Sequence, residues 1–376
     1  MRLARPGCSI MIILLLIQAA AGHPGGHGPD VTGPVAARQA GMADGWIWLI
    51  ALSLFTPFVL RLTGYGSRLF ATSAGLGFAV LASAVACGGN TPRPKGEKPA
   101  MLEHFSPFKK SLELDWDGDH LLVGSSAFPN HPLMVGITAW QQQVPLPQPY
   151  TGRNAWRIPL FPRQAAKPLS TRDNLMRGAI ALAVNGVPIF NALNNRGEDA
   201  FLAGELDEFG GHCGRGDDYH YHTAPLHLEK MVGPGKPIAY ALDGYPLMGL
   251  TDAAGRPPDD LDPCHGRIDA DGQYRYYASK KYPYTIGAMR GEVTVRGDQI
   301  DPQPRDRPAR PAGKPLRGAT ITAFERNEAK KTYTLTYTLR GDELQVRYTL
   351  QPGGTVDFVF TDAAGKTRQE SYRRGR

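Results

Sequence analysis

The run "GGHCGRGDDYHYHTAPLHL", Gly210 to Leu228, carries four of the chain's ten histidines. Its centre, Tyr219-His220-Tyr221-His222, alternates aromatic phenols with imidazoles. In an extended strand successive side chains point to opposite faces, so Tyr219 and Tyr221 share one face and His220 and His222 the other. A His-x-His pair on a strand stands about 6–7 Å apart along the backbone. From there the ring nitrogens can converge on one ion at about 2.0–2.1 Å. The stretch therefore predicts a β-rich domain with a candidate metal site on one strand face.

An imperfect internal repeat divides the run into scaffold and speciality. The segment "NGVPIFNAL…GGHCGRGDDYHYHTAP" is echoed downstream by "DGYPLMGLT…DPCHGRIDADGQYRYYAS". Asn185-Gly186-Val187-Pro188 matches Asp243-Gly244-Tyr245-Pro246, and Tyr219-His-Tyr-His matches Tyr274-Arg-Tyr-Tyr. Both copies keep their first and third tyrosines, which read as packing. Only the first copy has histidines at the second and fourth places.

A third ligand has to come from elsewhere. His212 lies one loop upstream, His227 beyond the turn at Ala224-Pro225, and His131 in "FPNHP" is more distant. Three histidines with an open position suit a transition metal, copper or zinc ahead of iron. Glu205, Asp207, Asp217 and Asp218 read as ligands, as partners that orient imidazoles, or as a solvated acidic face. A His pair acting as acid and base with Asp243 or Asp207 is the non-metal alternative. The chain has no Gly-x-Ser-x-Gly, no papain-like cysteine signature and no His-Glu-x-x-His.

The N-terminus points outside the cytoplasm. Arg2 and Arg5, the apolar run Ile10–Ile17 and the small residues Ala19–Gly22 form a signal-peptide pattern over residues 1–22. Residues 23–87 read as a membrane anchor. Either 46–60 and 69–87 form a hairpin with Arg61 and Arg68 on the cytoplasmic side, or the second run is a lipoprotein signal ending at a lipidated Cys87. Both readings place the rest of the chain on the extracytoplasmic face of the cell envelope, with the membrane as a partner. In that compartment Cys213 and Cys264, which the repeat aligns, are expected to pair as a disulfide.

Downstream, 88–103 is a Pro/Gly linker, 104–298 the main domain, 299–318 a basic Pro-rich linker or surface arm, and 319–376 an antiparallel meander. "SLELDWDGDHLLVGSSAF" reads as a hairpin turning at Asp117-Gly118, "HPLMVGITAW" and "NAWRIPLF" as strands, and Ala179–Val184 as a buried strand before Asn185-Gly186. With 44 glycines and 32 prolines, turns and short strands outweigh long helices. The net charge of +7 is mild and forms no basic stripe interleaved with aromatics, so nucleic acid is excluded as a partner. The predicted fold is mainly β, with antiparallel, sandwich-like sheets, a duplicated core unit and N-terminal membrane helices.

"CGRGDDYHYHTAP", with "GVPIFNAL" upstream and "IAYALDGYPLMGL" downstream, resembles the bacterial YHYH-domain proteins, largely secreted or lipid-anchored. The resemblance runs from about Leu122 to Gly287, and "AFPNHP" is similar to the family's Pro-x-His element, which adds His131 to the candidate ligands. His227 departs from the family pattern, where a cysteine is common. The family implies no established reaction. Two functions fit these residues. One is transition-metal binding at His220 and His222, completed by His212 or His131, in a metal-dependent enzyme or metal-handling protein. The other is a non-catalytic envelope module that binds a glycan or partner protein through its tyrosines, Trp140 and Trp156.

Overall fold

The computed structural model describes residues 94–374, which belong to one compact unit. The signal-like segment, both apolar runs and Cys87 lie outside the described residues. Among the described residues no helix is long and apolar enough to cross a membrane. The fold is mainly β, and its α-helices are single turns: α1 (Met101–His104), α2 (Thr171–Asn174) and α3 (Glu229–Val232).

A three-stranded sheet opens the domain: β1 (Glu113–Trp116), β2 (His120–Gly124) and β3 (Trp156–Pro159). Its first hairpin turns at Asp117-Gly118 as the sequence predicts, and the Asp117 carboxylate accepts the amides of Asp119 and His120 at 2.9 and 2.7 Å. β4 (Gln164–Ser170) pairs with the later β13 (Ala288–Gly291) in a two-stranded sheet.

The core is an eight-stranded sheet made of two like halves. The first half holds β5 (Ala179–Ala183), β6 (Pro188–Phe190), β7 (Gly211–Cys213) and β8 (Tyr219–Tyr221). The second holds β9 (Ala239–Ala241), β10 (Pro246–Met248), β11 (Gly266–Ile268) and β12 (Tyr274–Tyr277). The order is β11-β12-β10-β9-β5-β6-β8-β7, so the halves join where β5 meets β9 and run outward in the same sequence. β5 is buried along its whole length, which is why it reads as a continuous apolar run rather than an alternating one. The sheet is mixed rather than purely antiparallel: β6 with β8, and β10 with β12, run parallel.

Register corrects the cysteine alignment. In the first half Gly211, His212 and Cys213 face Tyr221, His220 and Tyr219, and in the second Gly266, Arg267 and Ile268 face Tyr276, Arg275 and Tyr274. Cys213 thus corresponds to Ile268, and Cys264 to Phe209. β7 and β11 are the two outer edges of the sheet, with six strands between them. The expected disulfide is not formed: both thiols are free and buried. Cys213 has no exposed surface, and burial raises its thiol pKa well above the usual value, which holds it protonated.

"HPLMVGITAW" forms no strand. Met134 and Gly136 adopt φ of 69° and 94°, which breaks the extended path. The segment instead inserts Leu133, Met134, Ile137 and Trp140 into the core as a loop. Residues 299–318 form no regular strand or helix and lie as an arm against the domain. Arg310 on this arm pairs with Asp217 at 3.0 Å, both side chains nearly buried. The chain closes in a meander, β14 (Ala319–Asn327), β15 (Thr332–Leu339), β16 (Asp342–Leu350), β17 (Thr355–Thr361) and β18 (Thr367–Arg373). Tyr348 of β16 donates to the Pro145 carbonyl at 2.5 Å, tying meander to domain.

Candidate metal centre

The turn between β7 and β8 sets the geometry. Asp217 takes φ of 57°, a left-handed conformation that Asp tolerates better than most residues. It is held there by Arg310 and by the Val144 amide, which donates to its carboxylate at 2.9 Å. Gly214 permits the turn to close: a Cβ there would stand 2.7 Å from an Asp218 carboxylate oxygen and 3.0 Å from the His220 ring.

Across this turn His212 faces His220 in the ladder, and His222 follows just past β8. The three rings converge. Nε2 of His222 lies 3.1 Å from Nε2 of His212 and 3.2 Å from Nε2 of His220. Ligand atoms of all three lie within 4.8 Å of one another. Four ligands at about 2.0–2.1 Å from a tetrahedral ion are about 3.3 Å apart, so the cluster is already near a binding geometry.

The remaining ring nitrogens are committed elsewhere. Nδ1 of His222 is 2.5 Å from the Asn191 carbonyl oxygen, and Nδ1 of His220 is 3.0 Å from the Asp218 carbonyl oxygen. Carbonyl oxygens only accept, so each Nδ1 carries the proton and each Nε2 is a bare lone pair in the neutral ring. The Asp218 carboxylate adds a 3.4 Å contact to Nδ1 of His220. His212 bonds the Glu205 backbone. Phe190 stacks on His220 with ring centres 3.9 Å apart and fixes its plane.

Electrostatics disfavours a proton on His212 and on His222. Burial, then the neighbouring His220, pushes His222 down to about 3. Burial, then His222 and His220, holds His212 well below the usual imidazole range. His220 and His222 are only 3% and 4% exposed. With both Nδ1 atoms facing carbonyls, Nε2 of His220 and of His222 stand 3.2 Å apart with lone pairs that a cation between them could bridge.

The structure places the other candidates apart from this centre. His131 sits on the tyrosine face: its Nε2 is 3.0 Å from the Tyr221 hydroxyl, and its ring stacks on Phe209 at 3.9 Å. His227 packs edge-on to His131 at 5.0 Å. Asp207 accepts the Tyr219 hydroxyl at 2.8 Å and the amides of Met134, Phe209 and Gly211. Burial pushes it up to about 6 despite those bonds. It caps the scaffold rather than the cluster. Trp140 and Trp156 are 3% and 2% exposed, so neither offers a face for a sugar to stack on.

The cluster opens into a cavity of about 150 Å³, also lined by Asn191, Asn194, Arg196 and Glu205. Arg196 bonds both Glu198 and Glu205. Sequence reasoning does not find the Asn191 and Asp218 carbonyls, because a backbone acceptor leaves no mark on residue type. Phe190 carries a faint signal: it ends the apolar "GVPIF" of the first copy.

Residues 155–256 match the family model described as YHYH protein, and this stretch belongs to that family. The match spans the whole first half of the sheet and ends before β11. No curated protein and no solved structure matches the chain.

Proposed function

We propose that this YHYH-family chain binds a divalent transition metal through Nε2 of His212, His220 and His222. The observation that carries the reading is that Nε2 of His222 lies 3.1 and 3.2 Å from Nε2 of His212 and of His220, while Nδ1 of His220 and of His222 is committed to a carbonyl. Backbone carbonyls that fix the far nitrogen of a ligating histidine set its tautomer and raise its basicity. Three neutral imidazoles suit zinc or copper, and they leave a position open toward the cavity. An ion so held can act as a Lewis acid toward a bound oxygen or be passed to another protein. The family assignment supports the domain and adds no reaction.

The signal-like N-terminus supports export, and the apolar runs or Cys87 support attachment to the membrane. On this reading the metal centre works on the extracytoplasmic face. The buried thiols of Cys213 and Cys264 would be shielded there from oxidation by packing rather than by pairing. The direct test is elemental analysis of the purified full-length chain. About one zinc or copper per chain is expected, absent from the His220→Ala/His222→Ala variant. A chain that purifies metal-free and takes up neither ion on dialysis overturns the proposal.

A further inference from the structure

Above the histidines the cavity is strongly cationic. Its lining includes Arg177, Arg196 and Arg215 against one carboxylate, Glu205. Arg196 is spent on Glu198 and Glu205. Arg177 and Arg215 are exposed, and neither guanidinium has a hydrogen-bond or ion-pair partner among the described residues. Both also line a neighbouring hollow of about 350 Å³, so the two spaces share one rim.

The repeat gives an independent reason to read these arginines as functional. The turn after β11 matches the turn after β7 residue for residue, and there Arg215 is replaced by Ala270. Arg177, two residues before β5, is replaced by Gly235, counting back from the matched turns at Asn185 and Asp243. Both arginines, like the histidines, belong only to the first copy.

Resting on the metal reading above, we propose that Arg177 and Arg215 form an anion site over the metal's open position, and that the ligand or substrate carries a small oxyanion there. A guanidinium offers a planar fork of donors that fits phosphate and carboxylate alike. The 150 Å³ space suits a head group of that size, and the adjoining 350 Å³ hollow leaves room for the rest of the molecule. That hollow is lined by Asp218 and Asp306, so a second anionic group is disfavoured beyond the head.

The test uses the full-length chain loaded with cobalt(II), whose visible absorption reports the metal's ligands. Inorganic phosphate and acetate are titrated separately, and phosphate binding is also followed by calorimetry. The expected result is a spectral change with at least one of the anions, weakened tenfold or more in Arg177→Ala/Arg215→Ala while metal content is unchanged. The relative response to phosphate and acetate tells a tetrahedral head from a planar one. Metal-loaded protein that responds to neither anion, or a double variant that binds them as tightly, overturns the anion site and leaves the metal reading standing. Protein that takes up no metal yet binds phosphate through these arginines supports the anion site and overturns the metal reading instead.

Discussion

The two halves of the eight-stranded sheet share a frame and differ in what they put on it. In one, Tyr219 donates to Asp207 at 2.8 Å; in the other, Tyr274 donates to Asp262 at 3.0 Å. Each aspartate caps two amides of its own turn, Phe209 and Gly211 or Cys264 and Gly266. Even the left-handed residue recurs, as Gly210 with φ of 82° and His265 with φ of 71°. On the opposite face the halves part company. Where the first has His212, His220 and His222, the second has Arg267, Arg275 and Tyr277.

The second half fills its face with its own counter-charges. Asp269 accepts from Arg267 at 2.9 Å, Arg275 at 3.0 Å and Tyr277 at 2.6 Å. Asp252, Asp260 and Asp271 take further arginine donors. Arg267, Arg275 and Tyr277 thus each have a carboxylate partner. The first half has Gly214 where the second has Asp269, and three acceptor nitrogens meet over the gap. One frame thus carries a salt-bridge network in one half and, in the other, a histidine cluster that could hold a cation.

The largest expected effect follows directly. His220→Ala/His222→Ala should weaken metal binding by well over about 100-fold, since losing even a partner that orients a ligand costs about 10–100-fold. The matched change in the second half, Arg275→Ala/Tyr277→Phe, should leave metal content unchanged and lower the melting temperature. Equal metal loss in both variants would show that the asymmetry is unrelated to binding.

Next comes an exchange of the residue that separates the halves. Gly214→Asp brings the second half's carboxylate into the first, where its Cβ alone would stand 2.7 Å from Asp218 and 3.0 Å from the His220 ring. Metal affinity should fall about tenfold or more as His220 is pushed off line, the scale seen when a ligand's support is disturbed. The reverse change, Asp269→Gly, strips a shared acceptor from Arg267, Arg275 and Tyr277 and should cost about 1–3 kcal/mol in denaturant unfolding. Unaltered zinc affinity in Gly214→Asp would mean that Gly214 does not guard the site.

Much of this contrast is legible in the sequence, because alternation and repetition are both properties of residue order. The strand alternation puts His220 and His222 on one face, and the repeat shows that the tyrosines are scaffold. The choice of third ligand is not legible without register. His212 joins the cluster because the β7–β8 turn sets it opposite His220, while the loop at 131–140 carries His131 to the tyrosine face instead. Aligning the cysteines by residue type misleads for a similar reason: the ladder aligns Cys213 with Ile268. The pairing of β4 with β13 joins segments over a hundred residues apart, which no local pattern reveals. The burial of Trp140 and Trp156 depends on packing from distant elements, so their bulk alone suggests an open binding face that does not exist.

A smaller effect separates the two fully buried phenols at matched places. The Tyr276 hydroxyl donates to the Asp243 carboxylate at 2.6 Å and accepts the Arg290 amide at 2.6 Å. The Tyr221 hydroxyl meets only neutral partners, Asn185 Nδ2 and His131 Nε2, both at 3.0 Å. Leaving a buried carboxylate short of a donor costs more than losing a neutral bond, so Tyr276→Phe should destabilise by about 2–3 kcal/mol and Tyr221→Phe by about 1 kcal/mol. Neither should release metal. The opposite ranking in denaturant unfolding would show that the halves are not the matched frames their geometry describes.

The smallest effect is a difference in how the two phenol sites respond to acid. Tyr221 touches His131, which burial pushes down to about 4, with the nearby His227 and Arg326 charges acting in the same direction. Among the described residues the Tyr276 hydroxyl bonds Asp243 and the Arg290 amide and no histidine. Above the ordinary imidazole pKa of about 6.5, His131 is neutral in both folded and unfolded chains and adds no pH dependence. Below it the unfolded chain takes up a proton that the folded chain refuses, so stability falls as pH drops, and the loss levels off near pH 4. His131→Asn keeps a polar side chain beside Tyr221 and removes this titration. Its unfolding free energy should therefore decline less steeply than the parent's between about pH 6.5 and pH 4. Tyr276→Phe should keep the parent's slope across that window. Parallel slopes for parent and His131→Asn would mean that His131 takes up its proton without resistance from the fold.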